Sequence, residues 1–409
     1  ALALLFAPIF ILIFAPGFYF DIQKQDLAIS LLRIMFPYLA LISLVAFAAG
    51  IQNSHNKFSI PAITPLIFNL SLIGSAWLVA PKIDIPVMAL AWGVLLAGFL
   101  QLLFQIAPLA TIKKIPVPKI DFQNPGVKKF FVLILPAILA GGIAQINLLI
   151  DTIFASLLIT GSPTWLYVSD RLIQFPMGIF AIAIGTVLLP SLSKAYSQKE
   201  VQAYTEQLEH AFKLVFFLAI PSLIGLALFA SPLLSTIFQR GAFLWNDVQQ
   251  ASLSLIGFSF GLPFFMAMKV LVPAFFSRQN TKTPMLIAFL SLLINVFLNY
   301  LLAFYFGLGH LGLAIASSIS AMVSVIILSL ILKRDGLISF SGILSTFSLN
   351  VLIASIALIS FLLIFNQYFN FELLSQAQRF LHLVTALIGS LIIYFGASFL
   401  LGVRPADFK

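Results

Sequence analysis

In a sequence this apolar, the residues that invite chemistry are the few polar ones placed inside long hydrophobic runs. Asp170 and Arg171 stand together within the stretch 165–194. A charge at the centre of a spanning helix costs about 2.5 to 3.5 kcal/mol on insertion scales, so an unforced pair asks for an aqueous cavity or an ionic ligand. Adjacent helical residues point about 100° apart, so the two cannot close on each other and each must meet something across a bundle. Arg171 is read as an anion contact in a central cavity, with Asp170 orienting it or another basic residue, the alternative being a structural ion pair between helices. Arg33 and Lys269 are the other intramembrane cations, each either a cavity contact for the same anion or a side chain snorkelling to an interface. A second polar set is oxygen-rich. Asn147 and Asp151 are one turn apart, as are Asn295 and Asn299, and Ser317 and Ser318 lie further along. Oxygen-only groups suit a hard cation such as Na⁺, a lone Asp suits a proton relay, and Asn residues also serve as hydrogen-bonding glue between helices. Asp151, Asn295 and Asn299 are therefore the candidate coupling-ion site.

Other chemistries lack their residues. There is no Cys, and His55, His210, His310 and His382 show no metal-ligand spacing. No GxSxG, P-loop or acid/base carboxylate pair occurs, and the clustered Glu200, Glu206 and Glu209 read as a solvated face. The expectation is a transporter, not an enzyme, with no metal or resident cofactor, driven by Na⁺, H⁺ or the membrane potential.

The elements that must position these residues are membrane helices. With 61% hydrophobic residues, 9% charged and mean hydropathy +1.10 over 409 residues, no globular surface could be covered. Twelve apolar segments follow from the polar, Pro and Gly breaks: 1–14, 27–51, 58–80, 87–109, 130–159, 165–192, 212–238, 249–276, 284–306, 310–332, 346–365 and 381–401. Only helices satisfy their own backbone groups in lipid, so all are read as α. Of 22 Lys and Arg, 15 fall in loops after the even-numbered segments and 4 after the odd ones. That alternation is the positive-inside pattern. It directs the first segment outward, puts the C-terminus in the cytoplasm, and accounts for the +9 charge without nucleic acid.

The first four segments resemble the seventh to tenth. FPYLALISLVAFAAGIQNSHNKFSIPAITPLIFNLSLIG from Phe36 and LPFFMAMKVLVPAFFSRQNTKTPMLIAFLSLLINVF from Leu262 share an early Pro, an Asn/Lys turn, a Pro opening the next helix and an Asn within it. Such parallel repeats are common in transporters. The fifth and sixth segments lack partners, and no Met or charged lead-in precedes the first. The expected fold is an all-α polytopic membrane protein with 12 of 14 helices present, as two pseudo-symmetric six-helix lobes plus two C-terminal helices. The expected parts are 1–112, the remainder of the N-terminal lobe; 113–129, a Pro- and Lys-rich cytoplasmic linker; 130–333, the C-terminal lobe; and 334–409, two helices and a tail. Residues 194–213, with Val201, Tyr204, Leu208 and Phe212 on one face, are expected to form an interfacial helix. Pro37, Pro65, Pro136, Pro176, Pro190, Pro221, Pro263 and Pro273 mark kinks.

SIPAITP (59–65), YVSDRLIQFPMG (167–178), GTVLLPSLSK (185–194) and KVLVPAFFSRQNTKTP (269–284) together resemble the MurJ (MviN) family of lipid II flippases, over essentially the whole chain. The resemblance implies a 14-helix monomer of the bacterial inner membrane that turns the undecaprenyl-pyrophosphate-linked peptidoglycan precursor outward by alternating access. The family's Asp-Arg pair falls on Asp170 and Arg171. It also implies that two helices bearing further arginines would precede this chain, and that the last two helices form a groove for the lipid tail. A drug/cation antiporter or another precursor flippase of the multidrug/oligosaccharidyl-lipid/polysaccharide exporter superfamily, to which the resemblance extends, would share the fold. A membrane glycosyltransferase would need an acidic catalytic residue and a large extramembrane loop.

Overall fold

The computed structural model describes residues 5–111, 145–338 and 346–404. The linker 113–129, Pro136 and Gly141–Gly142 lie outside the described residues. All regular structure among the described residues is helical, and ten helices there are long and apolar enough to cross a membrane. They coincide with the expected segments other than the first, where only Ala7–Phe14 is helical, and the fifth, described from residue 145. The chain divides into two compact units, Ala1–Pro136 and Ala137–Lys409.

The first unit contains α1 (Ala7–Phe14), α2 (Ile22–Met35), α3 (Tyr38–Ser54), α4 (Ser59–Gly74) and α5 (Pro86–Thr111). Pro37 opens α3 and separates it from α2 by a local distortion, because proline can donate no N–H back to the preceding turn. Helix α4 ends in a widened turn, Ser75–Val79. Helix α5 packs against α3 and α4. Four fully or nearly fully buried polar side chains join them. Gln52 Nε2 donates to Gln105 Oε1 (2.9 Å), Gln105 Nε2 to Thr64 Oγ1 (3.1 Å), and Gln101 Nε2 to the Thr64 carbonyl (3.1 Å).

The second unit contains α6 (residues 145–156), α7 (Ser162–Pro176), α8 (Ile182–Ser197), α9 (Val201–Leu228), α10 (Ala230–Phe238), α11 (Trp245–Phe276), α12 (Lys282–Leu298), α13 (Gly309–Arg334), α14 (Thr346–Tyr368) and α15 (Gln376–Leu400). Its spine is α11, which packs against α7, α9 and α13. Close approach to α13 follows from small residues one turn apart. A Cβ on Gly257 would lie 2.9 Å from Ala314 Cβ, and Ser318 Oγ donates to the Gly257 carbonyl (2.8 Å). Helices α14 and α15 pack on α9 and α10, where Tyr394 donates to the Phe217 carbonyl (2.6 Å) and Asn366 to the Leu228 carbonyl (2.9 Å).

The stretch expected as a separate interfacial helix is instead the opening of the continuous α9. Tyr204 and Leu208 are buried in the core, and Tyr204 donates to the Ala274 carbonyl (2.6 Å). Of the apolar face inferred for lipid, Tyr204 and Leu208 are taken up by the core while Val201 stays exposed.

Candidate functional site

The rotation of α7 decides which way its charges face. Ser162, Trp165, Val168, Ser169, Ile173 and Pro176 are buried, at the i, i+3, i+4 spacing of one helical face. That face is fastened to α11. Trp165 Nε1 donates to Asp247 Oδ1 (2.9 Å), and Ser169 Oγ donates to the Ala251 carbonyl (2.8 Å). The Trp165 ring meets His310 edge-on at 5.0 Å, and His310 is itself held between Ser254 (2.7 Å) and Gln250 (3.0 Å). With Trp165 and Ser169 turned inward, Asp170 sits at the margin and Arg171 is exposed. Arg171 lays its guanidinium over the Tyr167 ring, 4.7 Å from the centroid, a contact one turn back on its own helix.

Asp170 faces elsewhere. It lines a cleft of about 590 Å³ among α6, α7, α11 and α13, whose wall includes Asn147, Asp151, Tyr167, Gln174 and Ser317. Gln174 Nε2 approaches Asp170 Oδ1 at 3.4 Å. The two side chains separate around the helix, and neither the ion pairs nor the hydrogen bonds found among the described residues join them.

The three candidate ion ligands do come together. Asn299 Nδ2 donates to Asp151 Oδ1 (2.7 Å) and is 3.0 Å from Asn295 Oδ1. Asn295 Nδ2 donates to Ser317 Oγ (3.2 Å), and Ser317 Oγ approaches Asp151 Oδ2 at 3.4 Å. Asn295 is 1% exposed and Asn299 0%. The widened turn Asn299–Tyr305 begins at Asn299, and α13 packs beside it with Ser317 one helix away. Two buried oxygens of this region, Asn299 Oδ1 and Asn147 Oδ1, have no donor. An acceptor buried without a partner costs about 1–3 kcal/mol, so it is a place where a cation would repay its desolvation. Groups of three or more His, Asp or Glu able to hold a metal are absent among the described residues.

Arg33 is exposed in the last turn of α2, within the first unit, and Lys269 is exposed on α11. Within the second unit, Lys269 is not among the residues lining the cleft. The sequence reading missed the fastening of Trp165 to Asp247, 82 residues away, and to the ring of His310, contacts that carry no periodic signal. It also missed the glutamine set of the first unit. Gln101 and Gln105, one turn apart in an apolar run, were a visible sign of it.

The family model described as lipid II flippase MurJ matches residues 1–384. A probable lipid II flippase MurJ of Vibrio cholerae is 40% identical over 323 residues, which are 77% of this chain and 61% of that protein. One of Haemophilus influenzae is 38% identical over 94% of this chain and 76% of its own length. The lipid II flippase MurJ of Burkholderia cenocepacia is 37% identical over 79% of this chain and 63% of its own. The chain thus aligns with less than two thirds of some of these relatives. A solved lipid II flippase MurJ in an inward closed conformation superposes with a TM-score of 0.78 at 27% identity, covering 96% of this chain and 78% of that one.

Proposed function

This chain belongs to the MurJ lipid II flippase family, and we propose that it moves a lipid-linked peptidoglycan precursor from the inner to the outer leaflet of the bacterial inner membrane. No bond is made or broken in such a task. A pyrophosphate headgroup cannot cross hydrocarbon unaided, so the protein must offer cationic contacts while the polyprenyl tail stays in lipid. The observation that carries the reading is Arg171, a permanently charged guanidinium exposed on a membrane-length helix about 13 Å along the axis from Ser162 at 1.5 Å per residue. It is proposed to bind the pyrophosphate, with Arg33 and Lys269 as further contacts of the anionic headgroup. Transfer is proposed to proceed by alternating access, helped by an inside-negative potential of about 2.3 kcal/mol per charge per 100 mV.

The Asp151, Asn295, Asn299 cluster is proposed as the coupling-ion site, taking Na⁺ or H⁺. The hydrogen-bonded convergence of the three residues and the donorless Asn299 Oδ1 support it. The arrangement of 12 helices from a set of 14, the parts 1–112, 113–129, 130–333 and 334–409, the cytoplasmic C-terminus and the monomeric state are proposed with it. The alternation of basic loops supports the orientation, and the packing of α14 and α15 on α9 and α10 supports their treatment as an appended pair.

The test is rescue of a bacterium depleted of its own lipid II flippase by the full-length protein. The wild-type protein restores growth, and Arg171→Ala, expressed to the same level, does not. Failure of the wild-type protein would refute the function; full rescue by Arg171→Ala would refute the role of Arg171.

A further inference from the structure

The span that carries Arg171 is two helices, and α11 holds them by different means. Ser162–Ser197 is long enough and apolar enough to cross as one span, yet α7 ends at Pro176, and a widened turn, Met177–Ala181, intervenes before α8. Proline withholds an N–H from the turn behind it, and a widened turn is a local fault in the helical ladder. Gly178 lies in that turn, where an added Cβ would meet nothing within 4 Å. Beyond the turn, α8 comes close to the α11 backbone: a Cβ on Gly185 would lie 3.0 Å from the Lys269 carbonyl oxygen. Before the turn, α7 is held by side-chain hydrogen bonds. Trp165 reaches Asp247 and Ser169 reaches the Ala251 carbonyl, each across 82 residues, so α7 and α11 run parallel and in step, with the two bonds one turn apart. Turning α7 by one residue, about 100°, would break both.

The two bonds differ in what they specify. Ser169 Oγ is also 2.7 Å from the Trp165 carbonyl oxygen, a local acceptor it keeps whichever way α7 faces. The indole of Trp165 has one N–H, and Asp247 is its acceptor. The start of α7 is shaped around that ring. Gly161 has φ +104°, and a Cβ there would lie 2.5 Å from the Trp165 ring. Asp247 is aimed by its own helix. Its Oδ2 accepts from the Leu244 N–H (2.8 Å) at the start of α11, which leaves Oδ1 for the indole. An asparagine offers one oxygen in place of two, so it would turn an NH₂ group toward one of these donors.

We propose that Asp247 is a positioning residue for the anion contact: through Trp165 it sets the rotation of α7 about a pivot at 176–181 and so keeps Arg171 on the exposed side of the helix. The inference rests on the reading of Arg171 as the pyrophosphate contact. It makes headgroup affinity depend on a carboxylate whose own partner, Trp165, stands six residues before Arg171, about 9 Å along the helix axis.

The experiment is the affinity of the purified full-length protein, in lipid nanodiscs, for undecaprenyl pyrophosphate, with the melting temperature measured in parallel. Arg171→Ala sets the scale of the lost anion contact. Trp165→Phe, which removes the indole N–H and leaves the cap of α11 in place, weakens affinity about tenfold, the size of one hydrogen bond to a charged group. Asp247→Asn does the same, and the double variant is no weaker than either single one, because both cut one link. Asp247→Glu recovers most of the affinity, since glutamate also suits this capping position. Added to Arg171→Ala, either change costs nothing further, whereas a residue acting on the ligand by another route would add its own loss. Wild-type affinity in Trp165→Phe and Asp247→Asn beside a weakened Arg171→Ala, or a further loss on top of Arg171→Ala, would overturn the role of Asp247 and leave that of Arg171 standing. Wild-type affinity in Arg171→Ala would overturn both. Should Asp247→Asn not fold, Trp165→Phe decides the same question alone and in the Arg171→Ala background.

Discussion

The α4–α5 hairpin of the first unit and the α12–α13 hairpin of the second are built on one plan and put to different uses. In each, the leading helix ends in a widened turn, Ser75–Val79 or Asn299–Tyr305, and a glycine of the following helix packs against that turn. In each, buried polar side chains tie the pair to a further helix. The first set, Gln52, Thr64, Gln101 and Gln105, is neutral throughout and joins α3 to α4 and α5. The second, Asn295, Asn299 and Ser317, closes on the carboxylate of Asp151 from α6. Amides alone make helix-to-helix glue, worth roughly 0.6–2 kcal/mol per contact in a membrane. Adding one acid turns similar glue into a charge that needs a counter-ion. The two hairpins thus share a scaffold, and the ion chemistry proposed for the second depends on a single residue outside it, Asp151.

The comparison breaks most sharply at the glycines. A Cβ on Gly312 would fall 2.7 Å from the Ala303 nitrogen and the Leu302 carbonyl carbon, which are backbone and cannot rotate away. Gly312→Ala is expected to destabilise by about 3 kcal/mol, seen as a lower melting temperature of the purified protein. At Gly93 the obstacle is the Ser75 side chain, with Cβ at 2.8 Å. Gly93→Ala should cost about 1 kcal/mol, and Ser75→Gly in the same chain should restore the melting temperature. Equal losses at the two glycines, or no rescue, would end the equivalence of the hairpins. A smaller effect is expected in the neutral set. Gln105→Leu strands the Gln52 amide and should lower stability by about 1 kcal/mol, while sodium-22 binding stays at the wild-type level. A loss of binding there would mean that the first set also carries ion chemistry. Thr64→Val, which removes one acceptor from Gln105 and keeps the volume, should have the smallest effect, below about 1 kcal/mol.

The membrane helices were legible because their cause is local. Twenty or so apolar residues leave the backbone no partner but itself, so the segments around Ile22–Ser54, Ser59–Lys82 and Pro86–Thr111 could be drawn from composition alone. The i, i+4 spacing of Asn295 and Asn299 was legible for the same reason, since helical geometry fixes which residues share a face. The 194–213 stretch was misread because amphipathicity announces an apolar face without saying what covers it. Tyr204 and Leu208 are covered by the core rather than by lipid.

By itself, then, the sequence determined that this protein is helical, where its apolar spans run, and that Asp151, Asp170 and Arg171 are charges needing an explanation. Only tertiary structure decided where those charges look. Rotation of α7 depends on Trp165 finding Asp247 and Ser169 finding the Ala251 carbonyl, contacts 82 residues apart in the chain. Hydrophobic periodicity sets the buried face of a helix but not the partner on the other side of it. That partner turned Asp170 toward Asp151 and left Arg171 on the exposed side, dividing a dipeptide that reads in sequence as one site.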